Sequence, residues 1–523
     1  MSEEATNSHI VGDQEAVFAF LADPASHGLS EPVKRIDTHG AVVFLAGEHA
    51  YKVKRAVLYP FMDFSTLDKR HAACVNEVAL NKAYAPNLYL NVRAISLKDG
   101  KLSFDDEGEV VEWAVRMKRF DETATLDQVS AKKRLSPDLL RELAAEIAEA
   151  HQKATPHTAV DFYQAITGLI QENVQTLFQY TDLFPPEVLA RFTELNASAL
   201  EVCEEVLRDR SEAGFVRHCH GDLHLRNIAL IDGHPVLFDA LEFDATLATT
   251  DILYDLAFLL MDLAERQYRF PANYVLNRYL VETGLETHLE GLAALPLMIS
   301  VRAAIRAKVT AANAALVEGE QRSALEKEAL AYFEFSSRAL KPVAPTLIAV
   351  GGYSGSGKTS LASRLAGEVG PVQGAIHLRS DVERKRMSGV AESERLPAAH
   401  YTQEASDAVY QRLRDLSARL LKAGQNVVVD AVHLKEEERK QIAAVAEAAG
   451  ARFVGLWLDT PEAIANARVE ARDGDASDAD VSVVKAQVAH GPGALGWHRL
   501  DGSGGIGQAL VQAMVHCRSY NST

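Results

Sequence analysis

The residues Gly352-Tyr-Ser-Gly-Ser-Gly-Lys-Thr359 carry glycines, a lysine and a hydroxyl at the spacing that cradles a triphosphate. Gly352, Gly355 and Gly357 let the backbone curl so that successive N–H groups face a phosphate, Lys358 adds positive charge, and the Thr359 hydroxyl can reach Mg²⁺. Ser360 opens the stretch Ser360-Leu-Ala-Ser-Arg-Leu-Ala366, which has helical character, and the apolar run Thr346–Val350 precedes the loop. Such a loop needs a strand before it and a helix N-terminus after it, and both are present.

A second constellation lies far upstream, in His220-Gly-Asp-Leu-His-Leu-Arg-Asn227 and the following Val236-Leu-Phe-Asp239. The spacing is that of a kinase catalytic loop: Asp222 is placed to receive the proton of an acceptor hydroxyl, and Asn227 and Asp239 to hold a metal ion. In the strand-like segment 33–54, the triplet Ala50-Tyr-Lys52 sets a small residue where a purine could lie and an ammonium near its phosphates. Lys52 is the phosphate-contacting candidate, and Lys54, on the same face, is the fallback. Glu77, on a helix predicted over 67–84, is the natural ion-pair partner for Lys52.

The carboxyl-terminal loop has its own companions. Asp430 ends a buried apolar strand and could hold Mg²⁺ directly or through water. Asp381 follows the run Ala375–Leu378 and could accept a proton from an acceptor hydroxyl, act as a helix N-cap, or both. Arg468 and Arg472, four residues apart on the helix after Pro461, share one face and could clamp the charge of a transferring phosphate; the competing expectation is surface pairing with Glu470 or Asp473.

These side chains need two scaffolds. At 523 residues the chain exceeds one ordinary core, so at least two units are expected. Short β-rich runs in the first 122 residues predict a small antiparallel sheet. Residues 123–340 read as mostly helical, including the stripe Leu139, Leu140, Leu143, Ile147 and Ala150. The segment Lys341-Pro-Val-Ala-Pro345 marks a junction. From 341 to 523, strands alternate with helices, which predicts a parallel sheet with ligands at its carboxyl ends. The fold class expected is multidomain: an α+β bilobal kinase-like fold, then an α/β P-loop NTPase fold.

Four scattered cysteines without a CxxC pair argue against a disulfide scaffold or zinc site. The first residues lack a basic region leading into an apolar core, and no apolar run approaches a membrane span, so a cytoplasmic location without membrane attachment is expected. From residue 341 onward Lys and Arg balance Asp and Glu, so the net charge of −18 belongs to the first 340 residues. That acidity disfavours a nonspecific nucleic-acid grip there.

On the strength of His220-Gly-Asp-Leu-His-Leu-Arg-Asn227 and Phe238-Asp239, residues 33–335 resemble the aminoglycoside phosphotransferase-like branch of the protein kinase fold. The resemblance implies ATP-dependent phosphorylation of a small-molecule hydroxyl, with Asp222 as base and Asn227 and Asp239 on magnesium. Residues 346–515 look like the P-loop kinases that include gluconate kinase, chloramphenicol phosphotransferase, zeta toxins and polynucleotide 5'-hydroxyl kinases. There the likeness rests on Leu378-Arg-Ser-Asp381 and on Arg468 with Arg472. It implies Asp381 at the acceptor hydroxyl and lid arginines on ATP. The whole chain is similar to bacterial fusions of two such halves.

Three functional expectations follow. The leading one is a tandem kinase using ATP and Mg²⁺ on small-molecule hydroxyl acceptors. The second makes one half, preferably the first, a nucleotide-sensing regulator. The third makes the carboxyl half a nucleic-acid end kinase in which Arg384, Lys385 and Arg386 grip a phosphate backbone; with one basic cluster and few aromatic platforms, nucleic acid is the weaker expectation.

Overall fold

The computed structural model describes residues 9–38, 40–59, 62–104, 107–471 and 476–518. Two compact units emerge, and each is assembled from several stretches of chain. The first comprises Met1–Phe184, Leu207–Asp262 and Ile305–Ala331; the second comprises Pro185–Val206, Leu263–Ala304 and Tyr332–Thr523. The segment Lys341–Pro345 lies within the second unit.

The first unit contains a six-stranded antiparallel sheet in the spatial order Lys34–Asp37, Ala41–Ala46, His49–Lys54, Glu109–Lys118, Tyr89–Lys98 and Lys101–Ser103. Alternation decides which side chains meet. Val42, Phe44 and Val53 turn to one face and pack with Val17, Phe18 and Leu21 of helix Glu15–Ala22. Leu45 and Ala50 turn to the other and pack with Cys74 and Val78 of helix Leu67–Tyr84, whose N-cap Thr66 accepts the Lys69 N–H. Lys52 and Lys54 share the parity of Ala50, so they too rise from the helix-facing side.

Helix Pro137–Lys153 starts at the N-cap Ser136 and buries Leu140, Leu143, Ala144, Ile147, Ala148 and His151. Leu139 and Ala150 flank this stripe instead of centring it, because the buried face is narrower than the apolar pattern. The strand Val216–His218 leads into the Asp222 loop, and the hairpin Ile228–Ile231 with His234–Leu237 leads out of it. Asp232 and Gly233 both sit at positive φ, 54° and 89°, the twist that closes a two-residue hairpin turn.

The second unit contains a five-stranded, fully parallel sheet in the order Ile376–Arg379, Val427–Asp430, Thr346–Gly351, Arg452–Asp459 and His498–Asp501. Helices Lys358–Glu368 and Ile506–Arg518 pack over Ile348, Val350, Val428, Leu456 and Leu500, while Gln403–Lys422 and Glu436–Ala448 also pack on the sheet. The fold class is therefore an antiparallel, kinase-like α+β arrangement joined to an α/β P-loop arrangement. Among the described residues no helix is long and apolar enough to cross a membrane.

Candidate active sites

In the first unit Glu77, fully buried on helix Leu67–Tyr84, stands between the two lysines of strand His49–Lys54. Lys52 Nζ meets its Oε1 at 2.8 Å and Lys54 Nζ its Oε2 at 2.6 Å. Each lysine has a second carboxylate: Lys52 reaches Asp239 Oδ1 at 2.5 Å, and Lys54 pairs with Glu242. Burial opposes charge on Lys52, Lys54, Glu77 and Glu242. At Lys52 the carboxylates of Asp239, Glu77 and Glu242 outweigh it and hold the ammonium well above the ordinary lysine value. Glu77 is likewise held below the carboxylate range by the two lysines, whereas at Glu242 burial prevails and raises the carboxyl. Lys52 is the more open of the two, with 14% of its side chain exposed against 2% for Lys54, and only Lys52 touches Asp239.

Asp239 sits just past strand His234–Leu237 in the left-handed region, with φ 59°. Its N–H donates to Tyr89 Oη at 3.0 Å, and the next N–H, of Ala240, donates to Asn81 Oδ1 at 2.8 Å. Strain of this kind persists where surrounding bonds over-determine the backbone. The Asp222 loop is braced in the same manner. The Gly221 N–H donates to Asp255 Oδ1 at 2.8 Å, the other Asp255 oxygen lies 3.2 Å from His151 Nε2, and the Leu225 N–H donates to Asp262 Oδ2 at 3.0 Å. His220 donates through Nε2 to the Phe238 carbonyl at 2.9 Å, tying the loop to the residue before Asp239. Asn227 Nδ2 donates to Asp222 Oδ2 at 2.8 Å, and His224 Nε2 lies 3.3 Å from the same oxygen. The two groups are thus internally assembled: Lys52 with Glu77 and Asp239, and Asp222 with Asn227.

In the second unit the loop closes on itself through glycine. Gly355 has φ 75°, and a Cβ there would fall 2.3 Å from the Ala465 carbonyl oxygen, so no side chain fits. Gly357, at φ 94°, precedes helix Lys358–Glu368. Lys358 Nζ meets the Tyr353 carbonyl at 3.5 Å and makes no ion pair among the described residues. Thr359 and Ser360 stand in the first turn of the helix. In the sheet Asp430 lies directly beside Val350, the penultimate residue of the strand that feeds the loop.

Burial pushes the Asp430 carboxyl up, but His377, Lys358 and Arg379 overcome it and bring it down to about 2. His377 Nε2 is 3.7 Å and Arg379 Nε 4.0 Å from Asp430 Oδ2, while Oδ1 is buried without a partner among the described residues. An orphaned, ionised carboxylate oxygen is what a hydrated divalent cation would satisfy, so the residues fit Mg²⁺. Asp381 is not the N-cap of helix Ser380–Met387; Arg379 takes that position and Asp381 lies in the first turn. Its carboxyl is raised, burial prevailing over Lys358 and Arg379, and it accepts a hydrogen bond from Ser477.

Arg468 is placed as a brace. Its Nη1 donates to the Ser356 carbonyl at 2.8 Å, and Nη2 to Gly502 O at 3.1 Å, so the guanidinium is tied to the loop backbone. Arg472 lies outside the described residues. The Arg384-Lys-Arg386 run is also consumed internally: Arg384 donates to the His400 carbonyl, Lys385 is buried against Asp478, and Arg386 pairs with Glu383. Glu242, Tyr89, His377, Arg379 and Glu392 were not singled out from the sequence as site residues. A histidine within the buried run Ala375-Ile-His-Leu378 was a readable signal; Glu392 had none.

Residues 61–295 match the model of the phosphotransferase enzyme family, and residues 347–491 match the model of an AAA domain. The chain therefore joins a phosphotransferase-family domain to a P-loop, kinase-like domain, and both belong to nucleotide-using families. It is similar to an uncharacterized protein of Mycobacterium tuberculosis, 28% identical over 490 residues, which span 92% of this chain and 95% of that one. Among solved structures, a sugar kinase from Janibacter sp. HTCC2649 is 22% identical, covering 33% of this chain and 94% of that one with a TM-score of 0.26. Choline kinase from Cryptosporidium parvum Iowa II is 14% identical, covering 62% and 95% with a TM-score of 0.37.

Proposed function

We propose that this protein is a bifunctional ATP-dependent kinase, acting in the cytoplasm, in which each half phosphorylates a hydroxyl of a small metabolite such as a sugar or an aminoglycoside-like compound. The observation that supports this reading is that the first unit pairs Lys52 with Asp239 and Asp222 with Asn227, while the second sets Lys358 at a helix start behind a glycine loop, with the carboxyls of Asp430 and Asp381 both feeling its charge. Phosphoryl transfer asks for little else beyond positioning and charge neutralisation.

In the first unit Lys52 would hold ATP phosphates while Glu77 fixes its reach, and Asn227 and Asp239 would hold Mg²⁺. In the second, the loop amides and Lys358 would hold the phosphates, and Thr359 and Asp430 would hold Mg²⁺. When bound, the ion neutralises charge on the phosphoryl oxygens. The acceptor oxygen attacks the γ-phosphorus, the bond to ADP breaks, and the hydroxyl proton passes to Asp222 or Asp381. The raised carboxyl of Asp381 suits a group that must take up a proton.

A panel of metabolites with γ-labelled ATP, presented to the wild type, Asp222→Ala and Lys358→Ala, tests the reading. Each variant should remove one labelled product, by a factor on the order of 10²–10³. Retention of every product in both variants would overturn it. One observation favours a second reading, in which the first unit senses nucleotide: the Lys52 ammonium is already bonded to Asp239, so nucleotide entry must rearrange that pair. In that case Asp222→Asn leaves the labelled products unchanged and alters only their response to ATP concentration. The inward-turned Arg384, Lys385 and Arg386 give no support to a nucleic-acid acceptor.

A further inference from the structure

The sheet of the second unit would expose the edge strand Ile376–Arg379, but helix Arg269–Thr283 of the same unit closes that edge with its side chains. Asn273 Nδ2 donates to the carbonyls of Gln373, at 2.9 Å, and Ala375, at 2.8 Å. Asn277 behaves as a strand would, accepting the His377 N–H at 2.7 Å and donating to the Ala375 carbonyl at 3.2 Å. Glycines make the approach possible: a Cβ on Gly374 would fall 2.6 Å from Asn273 Nδ2, and one on Gly367 would fall 2.9 Å from Phe270 Cα. This helix lies within the stretch matched to the phosphotransferase family, not within the P-loop match.

The next residue of the helix reaches further. Arg278 Nη1 donates to Glu392 Oε2 at 2.7 Å, and the other oxygen of Glu392 accepts from Arg379 Nη1 at 2.9 Å. His377 and Arg379 alternate along one strand, so both project from the same face, where His377 Nε2 and Arg379 Nε lie 3.7 and 4.0 Å from Asp430 Oδ2, near enough to act on it by charge without a hydrogen bond. Asn277 thus holds the backbone of one neighbour of Asp430, and Arg278, through Glu392, holds the side chain of the other.

We propose that Asn277 and Arg278 are positioning residues of the second phosphoryl-transfer site, fixing His377 and Arg379 so that Asp430 is aimed for the metal of a bound nucleotide. The inference rests on the reading of the P-loop site given above. It implies that the P-loop segment alone, cut at residues 341–345, is an incomplete enzyme.

Calorimetric titration of full-length protein with the non-hydrolysable analogue AMPPNP, with and without Mg²⁺, tests it. A Lys52→Met background leaves only the second site to report. In that background Mg²⁺ should tighten AMPPNP binding by about tenfold or more, as linked ligands do. Arg278→Ala and the near-isosteric Glu392→Gln should keep Mg²⁺-free affinity within about twofold and lose most of the Mg²⁺ gain. Guanidinium chloride, below denaturing concentrations, should restore the gain in Arg278→Ala but not in Glu392→Gln. A purely structural role would lower affinity in both conditions together with the melting temperature and show no rescue. That result, or an undiminished Mg²⁺ gain in both variants, overturns the proposal. If Lys358→Ala fails to change AMPPNP binding in the same background, the site reading itself is wrong and the positioning role falls with it.

Discussion

The two candidate sites, read above as triphosphate sites, are built by opposite means. In the first unit the proposed phosphate lysine, Lys52, rises from a strand and is held by a buried network in which two ammoniums meet the carboxylates of Glu77, Asp239 and Glu242. In the second the proposed phosphate cradle is a curled backbone whose lysine makes no ion pair among the described residues. One site is held by opposing charges, the other by the absence of side chains. The difference teaches that the first should fail when a charge is removed and the second when a methyl group is added.

The largest effect should follow from removing the shared carboxylate. Glu77→Gln leaves two lysines facing a neutral amide in a fully buried position, and breaking a buried ion pair costs about 3–5 kcal/mol. Scanning calorimetry on the full chain should show the first transition moved down by several degrees, with nucleotide binding at the P-loop unchanged. An unshifted transition would mean that the network does not hold the first unit together. The converse change is Gly355→Ala. A Cβ there meets the Ala465 carbonyl oxygen at 2.3 Å and imposes φ 75° on a residue with a side chain, a strain of roughly 1–3 kcal/mol in addition to the clash. Affinity of the second site for AMPPNP should drop, while the first site keeps its own; equal losses at both would erase the contrast.

The same contrast explains what was legible in the sequence. The phosphate loop is contiguous, so Gly352, Gly355, Gly357, Lys358 and Thr359 are read in one glance, and the strand–loop–helix setting follows from the apolar run before it. The Asp222 to Asn227 segment is equally local. Lys52 and Glu77 had to be inferred across 25 residues from strand parity and helix phase, and the third member, Asp239, is 187 residues from Lys52. Glu242 and Glu392 were missed because a carboxylate's role depends on what folds against it. Arg468 adds a contact that the sequence does not announce: its type and phase suggest a phosphate clamp, and in the fold its guanidinium also bonds the carbonyls of Ser356 and Gly502. The helix Arg269–Thr283 was placed in the right class of structure, but nothing in its periodicity announces that it completes the edge of a sheet beginning some 70 residues later in the chain.

The smallest effect concerns His433, three residues beyond Asp430. It sits at φ 50°, with its N–H bonded to Tyr410 Oη at 3.0 Å and its carbonyl to Arg439 Nη1 at 2.9 Å, and its ring is flanked by Tyr410 and Trp497. Both ring nitrogens are buried without a hydrogen-bond partner among the described residues. Burial, aided by Arg439 and Lys358 and opposed by Asp430, lowers this imidazole to about 3. Because the folded value lies below the unfolded one, the unfolded chain binds the extra proton first. The stability contributed by keeping the ring neutral is whole above about pH 6.5 and declines as pH falls toward the folded value. Over each pH unit in that window the loss approaches ~1.4 kcal/mol. His433→Phe keeps an aromatic ring between Tyr410 and Trp497 and cannot titrate. The melting temperature of the wild type should therefore fall more steeply than that of the variant between about pH 6.5 and 5.5. His220 and His377, also buried and lowered, contribute equally to both proteins and cancel in the comparison. Parallel curves would show that the ring acquires a partner able to carry the proton in the folded state. The second site would then, like the first, depend on a paired charge.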